Sequence, residues 1–161
     1  MIDLNNRIFV LESTAYQKLS EHSKNARKKR ARICAHNGVD AALHEMFIML
    51  KKNSYVRPHR HNNKSESIHI VCGTLEVLFF DNSGAIQKRI ELSGDSNSST
   101  YYIRYEGAIW HSVLVKSEEA LFHETTNGPF KPEDTEYAEW APIDSDNAKV
   151  IRYMETLRAQ S

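Results

Sequence analysis

Residues 58–73 read PHRHNNKSESIHIVCG and contain the pattern H-x-H-x4-E-x6-G, with His59, His61, Glu66 and Gly73 at its fixed positions. On an extended strand, residues two apart point to the same face, so His59 and His61 can direct both imidazoles to one point. Four intervening residues leave room for a turn, after which Glu66 can return on the neighbouring strand. Imidazole and carboxylate ligands suit Zn, Fe, Mn, Co or Ni. The pattern therefore predicts a site for one divalent metal ion.

A fourth ligand is expected from a distant strand, and His111 is the best candidate. It alternates with apolar residues in the segment IWHSV at 109–113, just after a glycine-containing turn. A lone His-x-His pair is often a chance arrangement on a surface strand. The addition of Glu66, Gly73 and His111 favours the metal site over that alternative.

Short apolar segments surround this pattern, and their spacing indicates the fold class. Turn-forming residues separate them, such as the sequence Asp-Asn-Ser-Gly at 81–84. The predicted strands cover 43–51, 67–72, 74–80, 85–92, 100–105, 109–116 and 119–126. Many short strands at regular spacing, without alternating helices, are typical of an all-β barrel or sandwich.

The two ends of the chain differ from this central region. Residues 13–25 predict a short helix that Ser13 or Thr14 could cap. Residues 146–159 predict a C-terminal helix, and its candidate caps are Asp144, Ser145 and Asp146. We expect a single domain over 1–161 with these parts: a helix and basic segment at 13–33, a β-barrel at 40–126, an irregular segment at 127–145 and the helix at 146–159.

The composition is that of an ordinary globular domain. The chain has 161 residues, of which 40% are hydrophobic, and 21 Lys and Arg balance 21 Asp and Glu. A net charge of zero argues against binding to nucleic acid or to a membrane surface. The N-terminus lacks the features of a signal peptide, and no stretch approaches the ~20 apolar residues of a membrane helix. We expect a cytoplasmic protein in which Cys34 and Cys72 are free thiols.

One local excess of positive charge stands out against this balance. The basic run comprises Lys24, Arg27, Lys28, Lys29, Arg30 and Arg32. A solvated face is one interpretation. A clamp for the phosphate of a nucleotide sugar or phosphosugar is the functional alternative.

Further polar residues are candidates for catalysis or substrate binding. His123 and Glu124 are neighbours on a predicted strand, so only one of them should face the cavity, either as a general acid or base or as a hydrogen-bonded structural residue. The candidates for substrate binding are Arg57, Lys64, Tyr102 and Arg104. The alternative for both arginines is an ion pair with a carboxylate such as Glu76 or Glu106, and Lys64 could simply be a solvated loop residue. His36, His44 and His69 are interpreted as structural.

The motif at residues 59–73 resembles the first cupin motif, and the sequence EGAIWH at 106–111 resembles the second. The similarity extends to SYVRPHRH at 54–61, GPF at 128–130 and WAP at 140–142, and together they resemble the WbuC family of cupin-fold metalloproteins. This resemblance covers roughly residues 13–143. It implies an all-β cupin jelly-roll barrel, a bound divalent ion and an association with gene clusters for bacterial O-antigen and surface polysaccharide.

Two positions depart from the cupin motifs. Asn53 stands where the first motif usually has a glycine, and we expect it to adopt a positive φ in that turn. Ala108 replaces a glycine of the second motif, and Val115 replaces its asparagine, which leaves the turn before His111 less well defined.

Three functional hypotheses follow from these observations. The first is a metal-dependent enzyme, isomerase- or epimerase-like or otherwise sugar-modifying, that acts on a small anionic sugar-related metabolite with one Zn, Fe, Mn or Ni ion. The second is a non-catalytic small-molecule sensor, and the third is a structural partner of a polysaccharide-pathway enzyme. We also expect a homodimer that covers Cys72 and Phe79.

Overall fold

The computed structural model describes residues 8–97 and 100–160. Helix α1 spans Ser13–Asn25 and helix α2 spans Asn147–Ala159. Between the two helices, the described residues form ten strands and one 3-10 turn at Pro132–Asp134. In chain order the strands are β1 Arg30–Cys34, β2 Leu43–Lys51, β3 His59–His61, β4 Ser65–Cys72, β5 Thr74–Phe80, β6 Ile86–Ser93, β7 Tyr102–Glu106, β8 Trp110–Val115, β9 Glu119–Asn127 and β10 Thr135–Tyr137.

The strands form two antiparallel sheets of five strands each. Sheet I has the order β1-β2-β9-β4-β7, and sheet II has the order β10-β3-β8-β5-β6. Apart from the consecutive pairs β1-β2 and β5-β6, neighbours in each sheet come from distant parts of the sequence, as in a jelly roll. The prediction of an all-β jelly-roll barrel with a short N-terminal and a C-terminal helix is therefore confirmed.

The main core lies between the inner faces of the two sheets. Alternation separates it from the outer faces, because successive side chains of a strand point to opposite sides. Strand β5, TLEVLFF, is buried on both sides: Leu75, Val77 and Phe79 join the core between the sheets, while Leu78 and Phe80 pack with residues of α2 and the segment before it. This double burial explains why β5 is apolar at nearly every position.

Helix α1 covers the outer face of sheet I. Leu19 packs against Met49 and Leu121 in a separate apolar cluster. Polar contacts at the rim of this cluster join the helix to β9, because the Tyr16 hydroxyl donates to Glu119 Oε1 at 2.5 Å. The helix therefore contacts the barrel both through this apolar cluster and through a hydrogen bond to the Glu119 carboxylate at its rim.

The two helix starts differ from each other. Asp146 caps α2, since its side chain accepts a hydrogen bond from the Lys149 amide at 3.1 Å, and this agrees with one of the predicted caps. In α1 the cap position is Glu12, which makes no side-chain capping bond. The prediction that Ser13 or Thr14 caps α1 is wrong, because both residues already lie inside the first turn.

Two turns determine how the strands of the metal motif are connected. Gly73 has a φ of +78°, and a Cβ at this position would lie 2.2 Å from the backbone oxygen of Glu119, so only glycine fits. Asn53 is not among the described non-glycine residues with positive φ, which are Lys29 and Asn63. The expectation for Asn53 is wrong, because an ordinary turn with the Ser54 amide donating to the Lys51 carbonyl at 2.8 Å connects the chain there.

Two strands escaped the sequence prediction. Strand β1 lies inside the basic segment, and β10 lies inside the segment expected to be irregular. Each is short and pairs with one neighbour only, so tertiary pairing rather than apolar alternation defines it.

Two further expectations can be compared with the structure. Cys34 and Cys72 are free thiols, as expected. Phe79 is already buried in the core, so a partner chain is not needed to cover it, contrary to the expectation. Neither α1 nor α2 has the length and apolar character that crossing a membrane requires.

Candidate metal centre

Three histidines of sheet II converge on the inner side of the barrel. His59 and His61 lie on β3, and His111 lies on β8 directly opposite His59. One ring nitrogen from each lies within 4.8 Å of the others, which is close enough for all three to share one metal ion. The alternation of β3 and the pairing of β3 with β8 together produce this convergence.

Hydrogen bonds to the outer nitrogens orient the imidazoles. His59 Nδ1 donates to the carbonyl of Arg57 at 2.8 Å, and His111 Nδ1 donates to the carbonyl of Ile109 at 2.8 Å. Because a carbonyl only accepts, the proton in each ring must sit on Nδ1, and Nε2 keeps its lone pair. His61 Nδ1 is 3.0 Å from the Thr135 hydroxyl. Such bonds to the outer nitrogen are the usual support of metal-binding histidines.

Glu66 reaches the same point from sheet I. Its Oε2 lies 3.1 Å from His111 Nε2, and its Oε1 lies 3.5 Å from His61 Nε2. Two ligand atoms bound to one ion at about 2.1 Å, at angles of about 90–110°, are about 3.0–3.4 Å apart. The observed separations therefore match a set of atoms arranged around a single cation.

The environment of Glu66 shows that a positive charge fits between these groups. Oε2 is buried and has no hydrogen-bond partner in the described residues. The lone pair of an Nε2 facing a carboxylate oxygen is repulsive unless a proton or a cation lies between them. The four side chains thus form a donor set that suits a divalent ion with nitrogen and oxygen preference.

The charge states of the donors also suit a metal. Burial, with repulsion from His111, lowers the pKa of His59 to about 3, so this imidazole is neutral at physiological pH. Burial opposes the ionisation of Glu66, but positive charge from protons on His111 and His61 holds the pKa of that carboxyl well below its usual range, and a cation between these groups would act in the same direction. Neutral imidazole and ionised carboxylate are the forms that bind metals.

The histidines line a cavity of about 1190 Å³ between the two sheets. Its wall also includes Arg57, Tyr105, Glu124 and Thr126. A cavity of this size holds a small metabolite as well as an ion.

Glu124 and His123 illustrate how the sheet selects one of two neighbours. Glu124 lies on the inner face of β9, in register with Met46 and Ile68, and part of its surface is open to the cavity although it lies deep in the protein. Burial, together with the charge of Glu66, raises the pKa of Glu124 to about 8. The carboxyl is therefore protonated at neutral pH and can serve as a general acid.

His123 points to the opposite side of sheet I. Its ring contacts that of Phe47 at 4.7 Å, and Nε2 lies 3.8 Å from Glu45 Oε1. The catalytic assignment of His123 is corrected, because alternation along β9 places its side chain away from the cavity.

Tyr105 is a cavity residue that the sequence did not single out as a site. It is the register partner of Glu66 on β7, and its ring lies 4.8 Å from that of His111. Burial, with the charges of Glu66 and Glu124, raises the pKa of its hydroxyl well above the usual value, so the group stays neutral and can donate. The alternation of side chains along β7 could have identified Tyr105, because Tyr105 and Arg104 are neighbours and therefore point to opposite faces of the strand.

Arg57 reaches the cavity as predicted. Its Nη2 donates to the carbonyl of Ala138 at 2.7 Å, and its guanidinium lies 5.6 Å from the centre of the Tyr137 ring. Its Nε is buried without a hydrogen-bond partner in the described residues. The alternative of a carboxylate partner does not apply to Arg57, because Glu76 pairs with Arg89, but it is confirmed for Arg104, which pairs with Glu106.

The other predicted substrate residues have different surroundings. Lys64 lines the cavity, but its Nζ lies 3.2 Å from the Pro129 carbonyl and 3.5 Å from Asp134 Oδ2. Tyr102 and Arg104 are exposed on the outer side of β7, where Arg104 pairs with Glu106 at 2.9 Å. Substrate binding in the cavity by Tyr102 and Arg104 is therefore corrected, because β7 turns its other face inward.

The three histidines interpreted as structural lie away from the cluster. His36 and His44 stack at 4.1 Å and bond to the backbone, and His69 lies on the outer face against Tyr102. None of the three joins the group of possible ligands.

Solved structures similar to this chain show its fold. CapF in complex with 3-isopropenyl-tropolone has 18% identity and a TM-score of 0.59, covering 71% of this chain and 33% of CapF. Protein SO0799 from Shewanella oneidensis has 8% identity and a TM-score of 0.61, covering 92% and 96%. Oxalate decarboxylase from Bacillus subtilis has 16% identity and a TM-score of 0.51, covering 67% and 27%.

These likenesses establish the cupin fold. The chain spans about a third of the length of CapF and about a quarter of oxalate decarboxylase. No curated protein matches the sequence. The more specific similarity to the WbuC family stays a prediction.

A family model described as a domain of unknown function, DUF6016, matches residues 11–92. The match contains α1, the whole first motif with His59, His61 and Glu66, and strands β1 to β5. This cupin-fold chain therefore belongs to the DUF6016 family.

Proposed function

We propose that this chain is a metal-binding cupin that takes up a small sugar-related metabolite in its cavity and acts on it. One observation carries the proposal: three imidazoles whose ring nitrogens lie within 4.8 Å of one another meet a buried carboxylate oxygen that has no hydrogen-bond partner among the described residues. His59, His61, His111 and Glu66 would hold the ion. When bound, it would polarise a carbonyl or hydroxyl oxygen of the ligand.

The chain's own groups would position the ligand and move a proton. Glu124 would donate or accept a proton from the wall of the cavity, and the Tyr105 hydroxyl would orient an oxygen of the ligand beside Glu66. The surrounding apolar core limits the access of water. Such an arrangement supports an isomerase- or epimerase-like reaction or another modification of a sugar.

Metal content tests the site directly. Protein purified without an affinity tag is expected to carry about one Zn, Fe, Mn or Ni ion per chain by elemental analysis. The His59→Ala, His61→Ala double variant should lose the ion. The matched control is His69→Ala with His123→Ala, two histidines that face each other on the outer side of sheet I. Equal metal content in the two double variants would contradict the proposed centre.

A non-catalytic binding module is the second candidate function. If the native ion is zinc, the number of protein ligands favours this candidate. Four protein ligands around zinc complete a tetrahedron, which is typical of a structural site. Fe, Mn or Ni at five or six coordinates would keep positions for water or ligand. An exchangeable water on the native ion, followed by turnover in a screen of sugar nucleotides, supports the enzyme. Binding without turnover supports the sensor or a structural partner.

The biological setting is a further part of the proposal. The similarity to the WbuC family suggests bacterial surface polysaccharide biosynthesis, and the two free thiols suit the cytoplasm. The outer face of β4 and β7 exposes Val71 and Tyr102, which supports a homodimer. Sedimentation as an 18.5 kDa monomer at micromolar concentration would exclude that dimer.

A further inference from the structure

Two arginines of the basic run belong to the inner face of sheet I. Arg30 pairs in register with Leu50, and Arg32 pairs with Ile48, and both partners contact the core between the sheets. Residues directly opposite each other on neighbouring strands share a face. Both arginines accordingly line the same cavity as the metal ligands, while Ala31 between them packs toward α1.

The positive charges around the cavity divide into two groups. Lys28 forms an ion pair with Asp144, and Lys64 lies 3.5 Å from Asp134 Oδ2. Arg30, Arg32 and Arg57 form no ion pair within the described part of the chain. The cavity wall therefore carries more positive charge than its own carboxylates balance.

The nearest acidic side chain on the inner face of sheet I does not change this balance. Glu124 lies on β9, which is separated from β1 by β2. Its register partner on β2 is Met46, whereas that of Arg32 is Ile48, so the two side chains are offset by two residues along the strands. Burial keeps the pKa of Glu124 at about 8 in spite of the arginines, so the carboxyl is neutral at physiological pH.

Two orphaned polar atoms in the same wall indicate that a ligand completes the site. Thr126 Oγ1 and Arg57 Nε are both buried without a hydrogen-bond partner among the described residues. Both residues line the cavity: Thr126 lies on β9 of sheet I, and Arg57 lies just before β3 of sheet II. A ligand with acceptor oxygens would satisfy these groups.

We propose that Arg30 and Arg32 bind the anionic group of the cavity's ligand, so that the substrate is a small oxyanion, a phosphate ester or a carboxylate. This inference rests on the proposed function, because the ligand occupies the same cavity as the ion. Across sheet I, β1 and β4 are three strand spacings apart, about 14 Å at about 4.8 Å per strand, and the register places Arg32 four residues, about 13 Å, along the strands from the level of Glu66. The anionic group therefore binds toward the β1 edge of the cavity, while Arg57 and the metal ligands line another part of the same cavity.

Arginine suits this role better than lysine. Its planar guanidinium grips a phosphate or carboxylate with two parallel hydrogen bonds, and it stays charged when partly buried. The placement also explains why the basic run continues into a strand. Lys24 and Arg27 are exposed outside the cavity, whereas Arg30 and Arg32 are fixed by pairing with β2.

Calorimetric titration with inorganic phosphate tests the arginines. The wild-type chain with its metal is expected to bind about one phosphate. The Arg30→Gln, Arg32→Gln variant should bind it at least about tenfold more weakly. The control is Lys24→Gln with Arg27→Gln, which removes the same charge from the same run and should change the affinity by less than about twofold.

Further probes identify the source of the oxyanion. Glucose 6-phosphate, glucuronate and glucose differ only at one carbon, so they compare a phosphate, a carboxylate and a neutral group on one skeleton. Tighter binding of one anion than of glucose, lost in the Arg30→Gln, Arg32→Gln variant, assigns the class. Binding of phosphate but of no sugar supports the anion site and removes the sugar.

The metal proposal and this one can fail separately. In the His59→Ala, His61→Ala variant any remaining phosphate binding reports the arginines alone. Equal phosphate affinity in the wild type and the arginine variant, or no affinity in either, overturns the inference even if the metal content is normal. Arg32→Gln alone, at an exposed position, serves if the double variant does not fold, and it should show the same direction of change.

Discussion

Replacement of Glu124 by Gln tests the charge state of the cavity. The glutamine has nearly the same shape but no ionisation. Burial and the charge of Glu66 raise the pKa of Glu124 from its ordinary 4.5 to about 8 in the folded chain. Because the raised pKa belongs to the folded state, that state holds its proton more tightly than the unfolded chain does, and stability falls as the pH rises between these two values.

The size of the effect follows from this interval. The free energy of unfolding should fall by about 1.4 kcal/mol per pH unit from about pH 4.5 to about pH 8. The total loss is on the order of 3–5 kcal/mol. The Glu124→Gln variant lacks this contribution, so it should equal the wild type near pH 4.5 and exceed its stability increasingly toward pH 8.

Urea unfolding of metal-free protein at several pH values provides the measurement. The difference between wild type and Glu124→Gln isolates this carboxyl from the others, and Glu118→Gln, at an exposed position, is the control. The divergence should be smaller in metal-loaded protein, because the cation offsets the charge of Glu66. Parallel stability curves for wild type and Glu124→Gln would refute the reasoning.

Three further predictions concern other parts of the structure. Gly73→Ala should lower the free energy of unfolding by about 3 kcal/mol or more, because the residue has positive φ and its Cβ would meet the Glu119 carbonyl; chemical denaturation checks this, with Gly38→Ala, where nothing lies close, as the tolerated control. Glu119→Gln should cost about 1–3 kcal/mol and increase hydrogen exchange in α1 first, since this carboxylate accepts from Tyr16, Ser20 and Lys51; uniform exchange would contradict it. Removal of the ion by a chelator should lower the midpoint of thermal unfolding, and an unchanged midpoint would argue against a resident metal.

Much of the barrel could be predicted from local pattern. Strands β2 and β5 and helix α1 have the predicted bounds, because their apolar residues recur at the period of the element they form. Strand β1 could not be found in this way. Its alternating Arg30, Arg32 and Cys34 face the cavity, so the strand lacks an apolar face on that side and resembles a solvated basic run.

The histidine spacing by itself determined which side chains of β3 share a face, because the side-chain period of a strand is two. The same rule showed that only one of His123 and Glu124 could enter the cavity. Which one does so was decided by the pairing of β9 between β2 and β4, and this depends on contacts between distant segments. Likewise, the four donors meet only because β3, β8 and β4 come together across two sheets. Local sequence specifies the orientation of side chains relative to one another along a strand, whereas the direction that faces the core is set by long-range packing.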